Sequence, residues 1–303
     1  MSNPDPEIPF DLRSPGAPDK LVRLSPLVRR IIADNPGPMT FTGTCTYVVG
    51  TGDVAVIDPG PDSPPHLSAL LDALKDEQVR HIVVTHTHRD HSAGAVALKA
   101  ATGAEIIGCA PYIASENGSS SGLEAAHDRT YRPDRVLADG DEINGPGYVL
   151  KAVTTPGHTG NHLAFALAEE RALFSGDHVM AWATTVVIPP DGKMRDYMAS
   201  LEKLLARDDV QYWPGHGGGL TEPQRMVRAL LHHRRLREAA ILAALDRGQA
   251  DIPTLVASLY QGLDPRLRSA AGLSVLAHLR DLGTRGLVQV PEGDGLVGVY
   301  SRI

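Results

Sequence analysis

His86-Thr87-His88-Arg89-Asp90-His91 follows directly on Arg80-His81-Ile82-Val83-Val84-Thr85, a β-branched run that predicts a buried strand. Three histidines and a carboxylate within six residues form the dense nitrogen and oxygen donor set that a divalent cation prefers. Three further segments follow the same logic: Pro156-Gly157-His158-Thr159, Phe174-Ser175-Gly176-Asp177 and Tyr212-Trp213-Pro214-Gly215-His216. Each sets a metal-capable side chain just after a predicted strand, behind Gly or Pro-Gly. Residues beyond strand ends are where a rigid sheet aims several loops at one point. One His or Asp in such a place is commonly structural. Four such segments in one stretch of chain predict a shared metal centre.

Outward from these segments, strand and helix signals alternate. Strands are predicted at 44–49 and 53–58, a hairpin split by Gly50-Thr51-Gly52, and then at 104–107, 148–154, 163–168, 172–174 and 210–213. Leu67, Leu70, Leu71 and Leu74 form one apolar helical stripe behind Ser63-Pro64-Pro65. A helix is predicted over 92–101, and Tyr197, Leu201, Leu204 and Leu205 mark another. After residue 222 the texture becomes helical, with one long helix over 224–245 and a short one capped by Asp251. A third opens at Asp264-Pro265 and carries Leu267, Ala271, Val275, Leu279 and Leu282 up to Gly283. Runs at 287–290 and 296–300 then flank a five-residue loop, a hairpin. Three helices and a hairpin are the plan of a winged helix. The expected organisation is a mobile tail over 1–20, an α/β metal-hydrolase domain over 21–222 and a winged-helix-like domain over 223–303.

Composition narrows the class. The 303 residues are 21% charged and 42% hydrophobic, ordinary for a globular chain, with a formal charge of -7. That acidity opposes whole-chain, non-specific binding to nucleic acid. The two cysteines, Cys45 and Cys109, form no CxxC pair, which excludes a disulfide scaffold and a thiolate zinc site. There is neither an apolar run of about 18 residues nor an apolar leader segment. The expectation is a cytoplasmic protein without membrane attachment.

The order HxHxDH, lone His, Asp, final His resembles the metallo-β-lactamase superfamily over roughly residues 35–220. The resemblance implies an αββα sandwich with a metal site at one edge. It makes His86, His88 and His158 the ligands of one ion, Asp90, His91 and His216 those of a second, and Asp177 the bridge. Two divalent ions, zinc by preference with manganese or iron as alternatives, would hold a bridging hydroxide as nucleophile. Asp90 and Asp177 are the catalytic candidates, with Asp90 holding the nucleophile or passing a proton to the leaving group. No ligand segment contains cysteine and the bridge is a carboxylate, a departure from true β-lactamases that argues against antibiotic hydrolysis as the main activity.

Asn35-Pro36-Gly37-Pro38, Gly43-Thr44-Cys45-Thr46-Tyr47, Thr184-Thr185 and Tyr197, with the winged C-terminus, are similar to one branch of that superfamily. This branch includes a mitochondrial endoribonuclease specific for single strands; the chain departs from it at Cys45 and His178. The 38 residues between Asp177 and His216 leave no room for the insertion domain of the processive RNA-degrading branch. From Val227 onward ten Arg and no Lys stand against seven acidic residues, and His232-His233-Arg234-Arg235-Leu236-Arg237 is a basic cluster. By the family resemblance, cleavage of single-stranded RNA is the first reading. A hydrolase of small esters, lactones or thioesters (glyoxalase-II-like) is the second. A nucleic-acid-binding regulator with an inert metal domain is the third. The partners implied are the RNA or a small ester or thioester, and a second copy of the chain as a homodimer. His178, Thr184, Thr185 and Tyr197 are the substrate-contact candidates, with Trp182 beside them. His162 and His178 are both candidates for substrate contact or for support of a ligand. His66, His81, His127 and His278 read as structural or surface residues, and 115–122 as a mobile loop.

Overall fold

A computed structural model describes residues 8–113, 126–263, 265–292 and 297–303. The loop at 115–122, the cap at Asp264 and the hairpin tip at 293–296 lie outside these residues. Two sheets face each other. The first holds β1 (Val22–Arg23), β2 (Val28–Ile32), β3 (Cys45–Thr51), β4 (Asp53–Ile57), β5 (Gln78–Val84), β6 (Glu105–Gly108) and β7 (Arg135–Val136), side by side in chain order. Neighbours are antiparallel as far as β4 and parallel from β4 to β7. The second sheet is built from β8 (Glu142–Gly145), β9 (Tyr148–Thr154), β10 (Leu163–Leu167), β11 (Ala172–Gly176) and β12 (Gln211–Pro214), and its spatial order is β12-β11-β10-β9-β8.

Period-two alternation decides which side chains meet between the sheets. Leu163, Phe165 and Leu167 of β10, with Phe174 of β11, join the large core shared with β2 to β6. The intervening Ala164, Ala166 and Leu173 face the other way. There they pack under α4 (Met194–Leu205) and the first half of the long helix α5 (Pro223–Asp246). On the outer side of the first sheet lie α1 (Pro64–Ala73) and α3 (Ala95–Thr102), whose Leu70 and Leu98 are buried. The layers are thus helix, sheet, sheet, helix, the expected αββα sandwich.

A third core joins the second half of α5 to α6 (Ile252–Leu259), α7 (Arg268–Thr284) and the hairpin of β13 (Val288–Gln289) and β14 (Ser301–Arg302). This is the winged-helix plan.

Two local readings need correction. The predicted helix over 92–101 is two pieces, the single turn α2 (Arg89–Ser92) and α3, because Gly94 turns its N–H to Gly60 O at 2.9 Å. The returning hairpin strand is not 296–300: Val288 pairs with Arg302, while Tyr300 bridges Ala250. Strands β1, β2, β7 and β8 carry no clear signal. Arg29 and Arg30 interrupt the apolar run of β2, and β1 and β7 are exposed two-residue edges. Among the described residues, no helix is long and apolar enough to cross a membrane.

Candidate metal centre

Strands β9, β11 and β12 run in one direction, since β10 is antiparallel to both β9 and β11, and β12 is parallel to β11. Their C-terminal ends therefore share one edge of the second sheet and present His158, Asp177 and His216 there. From the facing sheet, β5 delivers His86 and His88, and α2 adds Asp90 and His91 in a single turn. Close approach is possible because position 215 has no side chain. A Cβ on Gly215 would lie 2.5 Å from Asp177 Oδ1 and 2.6 Å from His91 Cε1.

All seven predicted side chains converge. His86, His88, His158 and Asp177 form one group and Asp90, His91 and His216 another, each with donor atoms within 4.8 Å of one another. His88 Nδ1 stands 3.0 Å from both His86 Nε2 and His158 Nε2. His91 Nε2 and His216 Nε2 are 3.3 Å apart. Asp177 lies between the groups, with Oδ1 3.5 Å from His91 Nε2 and Oδ2 3.4 Å from His216 Nε2 and 3.6 Å from His158 Nε2. Asp90 Oδ2 stands 3.3 Å from His216 Nε2.

The outer nitrogens assign the tautomers. His158 Nδ1 faces Val186 O at 2.8 Å and His216 Nδ1 faces Gly43 O at 3.2 Å, so both must donate outward. His91 Nδ1 donates to Asp58 Oδ2 at 2.8 Å. Thr85 Oγ1 gives its proton to the same carboxylate oxygen and so accepts from His86 Nδ1 at 2.9 Å. Four imidazoles are left with Nε2 lone pairs pointing inward, at one another and at two carboxylates. Buried acceptors do not gather without a donor or a cation among them. Asp177 Oδ1 is likewise buried with no hydrogen-bond partner among the described residues. The set fits divalent ions by its own chemistry.

Ionisation follows the same logic. Burial holds His86 and His88 well below the ordinary imidazole range. Burial works the same way on His91 and His216, but Asp90 and Asp177 outweigh it, lifting His91 well above that range and His216 to about 10. Burial tends to raise Asp90 and Asp177, yet the adjoining His91 and His216 hold both below the usual carboxylate range. The two carboxylates thus favour positive charge beside His91 and His216, which a divalent ion supplies.

Residues outside the donor set hold the ligands. Asp58 binds His91 and also accepts the Thr85 N–H through Oδ1 at 2.8 Å. Thr44 Oγ1 donates to Asp90 Oδ2 at 3.0 Å, and Asn35 clasps Thr44 through its amide nitrogen at 3.0 Å and its oxygen at 2.9 Å. Cys45 N and Tyr47 Oη bond to Gly215 O and Pro214 O at 2.7 Å each. The Asn35 and Gly43–Tyr47 motifs thus fix the His216 loop and Asp90.

The substrate-contact candidates fare differently. His178, Thr185 and Tyr197 are fully buried and have no accessible surface to offer a substrate. The Thr185 hydroxyl donates to Asp177 O at 2.6 Å, and Tyr197 Oη to His178 O at 3.2 Å. Their burial makes them supports of the Asp177 loop, which corrects the substrate-contact reading of Thr185 and Tyr197 and leaves His178 with its ligand-support alternative. Thr184 and Trp182 keep partial exposure on that loop. His162 Nδ1 is 2.8 Å from Thr155 Oγ1 and its Nε2 accepts the Asp177 N–H at 3.2 Å, so it supports a ligand. His127, read as structural or surface, stands with its ring 4.7 Å from that of His88.

Residues 39–216 match the metallo-beta-lactamase superfamily, and residues 252–295 match the beta-lactamase associated winged helix domain. A "Beta-lactamase-like protein 2 homolog" of Caenorhabditis elegans is 32% identical over 281 residues, covering 90% of each chain. An "Atrochrysone carboxyl ACP thioesterase" of Aspergillus fumigatus is 32% identical over 238 residues, 77% of this chain and 69% of its own. In fold, a beta-lactamase domain protein from Burkholderia ambifaria superposes with a TM-score of 0.78 at 20% identity over 95% of each chain.

Proposed function

The chain belongs to the metallo-beta-lactamase superfamily, a superfamily of hydrolases, and from that premise we propose that it is a dinuclear metal-dependent hydrolase of acyl thioesters and related esters. The convergence of four inward Nε2 lone pairs on two buried carboxylates carries this reading. His86, His88, His158 and Asp177 would hold one divalent ion and Asp90, His91 and His216 the other, with Asp177 reaching both. Zinc suits these donors best, and manganese or iron is compatible with them. When bound, such ions bring the pKa of a water toward neutrality and withdraw charge from a carbonyl oxygen.

The protein's own groups do the rest. Asp58, Thr85, Val186 O and Gly43 O keep each imidazole in the tautomer that presents Nε2. Of the two carboxylates, Asp90 is the more open, with 26% of its side chain exposed against 9% for Asp177. Asp90 is therefore the group that takes a proton from the attacking water and returns it to the departing sulfur. The water oxygen bonds to the carbonyl carbon, the C–S bond breaks, and a carboxylate and a thiol leave.

Two observations favour the thioester over RNA. A relative of the chain is named a thioesterase. The basic cluster on α5 is also partly engaged by the protein's own groups, although Arg235 stays exposed. Arg234 is buried, Arg237 lies over the Tyr260 ring and donates to Leu259 O, and Arg235 pairs with Glu202. The central arginine of the cluster is thus withdrawn from any phosphate.

The test incubates zinc- and manganese-loaded protein with an acyl thioester, a lactone and single-stranded RNA. Thioester hydrolysis with RNA left intact is expected. RNA cleavage with every acyl substrate untouched overturns the proposal. Asp177→Ala should lose bound metal and rate together; a rate that survives loss of metal removes the dinuclear site from the chemistry.

A further inference from the structure

An aromatic stack stands at each end of the donor array. At one end Phe41 and Trp182 stack with ring centroids 5.0 Å apart and planes 13° from parallel. Trp182 lies against the residue after His216: a Cβ on Gly217 would be 2.9 Å from Trp182 Cδ1. Phe41 stands two residues before Gly43, whose carbonyl accepts from His216. At the other end Tyr112 stacks on His127 at 3.8 Å and 6°, and His127 in turn flanks the His88 ring at 4.7 Å.

Three details set Phe41 and Trp182 apart from ordinary core packing. Neither ring belongs to any of the three apolar cores, and both are only half-buried. Phe41 holds a left-handed backbone with φ 56°, an unfavourable conformation for a bulky residue, of the kind that persists where surrounding structure and function require it. The Trp182 indole N–H is buried with no acceptor among the described residues. A strained aromatic and a half-open stack beside a ligand form a recognition surface for a flat group.

We infer that Phe41 and Trp182 are the acyl-recognition wall of this hydrolase and that its substrates carry a planar, aromatic acyl group. The inference rests on the thioester reading above and names its substrate class. The aryl ring lies offset on the open face of the Phe41–Trp182 stack, which sets the scissile carbonyl toward the seven donors. The reaction is unchanged: water oxygen to carbonyl carbon, C–S cleavage, a proton to sulfur and release of an aryl carboxylate. A nucleobase also stacks on aromatic rings, and the RNA arm of the titration below separates the two.

The chain has two tryptophans, so Trp213→Phe leaves Trp182 as the sole indole reporter. Full-length, zinc-loaded protein of this background is titrated with 4-nitrobenzoate, octanoate and a single-stranded RNA oligonucleotide. Saturable quenching by 4-nitrobenzoate, with none by octanoate, is expected. In parallel, the kcat/KM ratio for benzoyl over octanoyl thioesters of N-acetylcysteamine should fall about tenfold in Phe41→Ala and Trp182→Ala, mainly through KM. Trp182→Phe, which keeps the stack, should retain most of the preference. Equal hydrolysis of both thioesters, with a ratio that Phe41→Ala does not move, overturns the wall and leaves the thioesterase reading standing. Quenching by 4-nitrobenzoate with no turnover of either thioester supports the wall and removes the thioesterase reading. Quenching by RNA alone overturns both.

Discussion

Asp58 Oδ2 faces His91 Nδ1 and Thr85 Oγ1 at 2.8 Å each, and through Thr85 it also orders His86. One buried carboxylate thus orients a ligand in each donor group. Asp58→Asn keeps the shape but removes the charge that raises the basicity of His91, and its amide would present a donor where an acceptor is needed. Metal affinity should fall about 10–100-fold with little change in fold, measured by competition with a chromophoric chelator. Unchanged affinity would mean the imidazoles are oriented by packing alone. At this scale the seven donors were legible because four of them fall within six residues and the others follow strand signals. Asp58 was not. A single Asp after a strand has many uses, and its partners stand 27 and 33 positions along the chain.

On α5, Val227, Leu230, Leu231, Arg234 and Ile241 are buried, and the seven-residue steps from 227 to 234 to 241 place Arg234 on the apolar stripe. Read as composition, the cluster around Arg234 is a basic face; read by periodicity, its central arginine points inward. Arg234 lies over the Tyr197 ring at 5.2 Å and donates to Thr185 O, while the Thr185 hydroxyl holds Asp177 O and His178 O. Among the described residues no carboxylate pairs with it, so this backbone carbonyl is its anchor. Arg234→Met should loosen the Asp177 loop and weaken metal binding about tenfold, and Arg234→Lys, still a donor, should recover part of the loss. The visible spectrum of the cobalt-substituted protein reports it: a changed ligand field in Arg234→Met is expected. An unaltered spectrum with a lower Tm would reduce Arg234 to packing. The same scale explains the missed strands. Arg29-Arg30 hides β2 in any apolar count, yet Arg30 is buried with its guanidinium on Pro15 O at 2.6 Å.

Two properties belong to the whole chain. The first is stabilisation by metal, since inward lone pairs and carboxylates repel one another once the positive charge is removed. At a free concentration of 100 Kd each ion contributes about 2.7 kcal/mol, so chelation should lower Tm by on the order of 10 °C, and scanning calorimetry with and without chelator checks this. A Tm indifferent to chelation would show a site that binds no ion in the folded state. The second concerns where the chain can be cut. The expected domain limit at 222 falls just before α5, but Met226, Val227, Leu230 and Leu231 are all at or below 4% exposure in the core beneath α4. Burying four such side chains is worth roughly 6–12 kcal/mol, comparable to the roughly 5–15 kcal/mol that holds an ordinary domain folded. A chain ended at residue 222 should therefore fail to fold despite retaining all seven donors. One ended at residue 246 keeps that core and should give native-like far-UV dichroism, with the apolar second half of α5 laid bare. If the shorter fragment instead melts cooperatively and binds two ions, α5 is a passenger on the catalytic sandwich. Its arginine would then have no hold on Asp177.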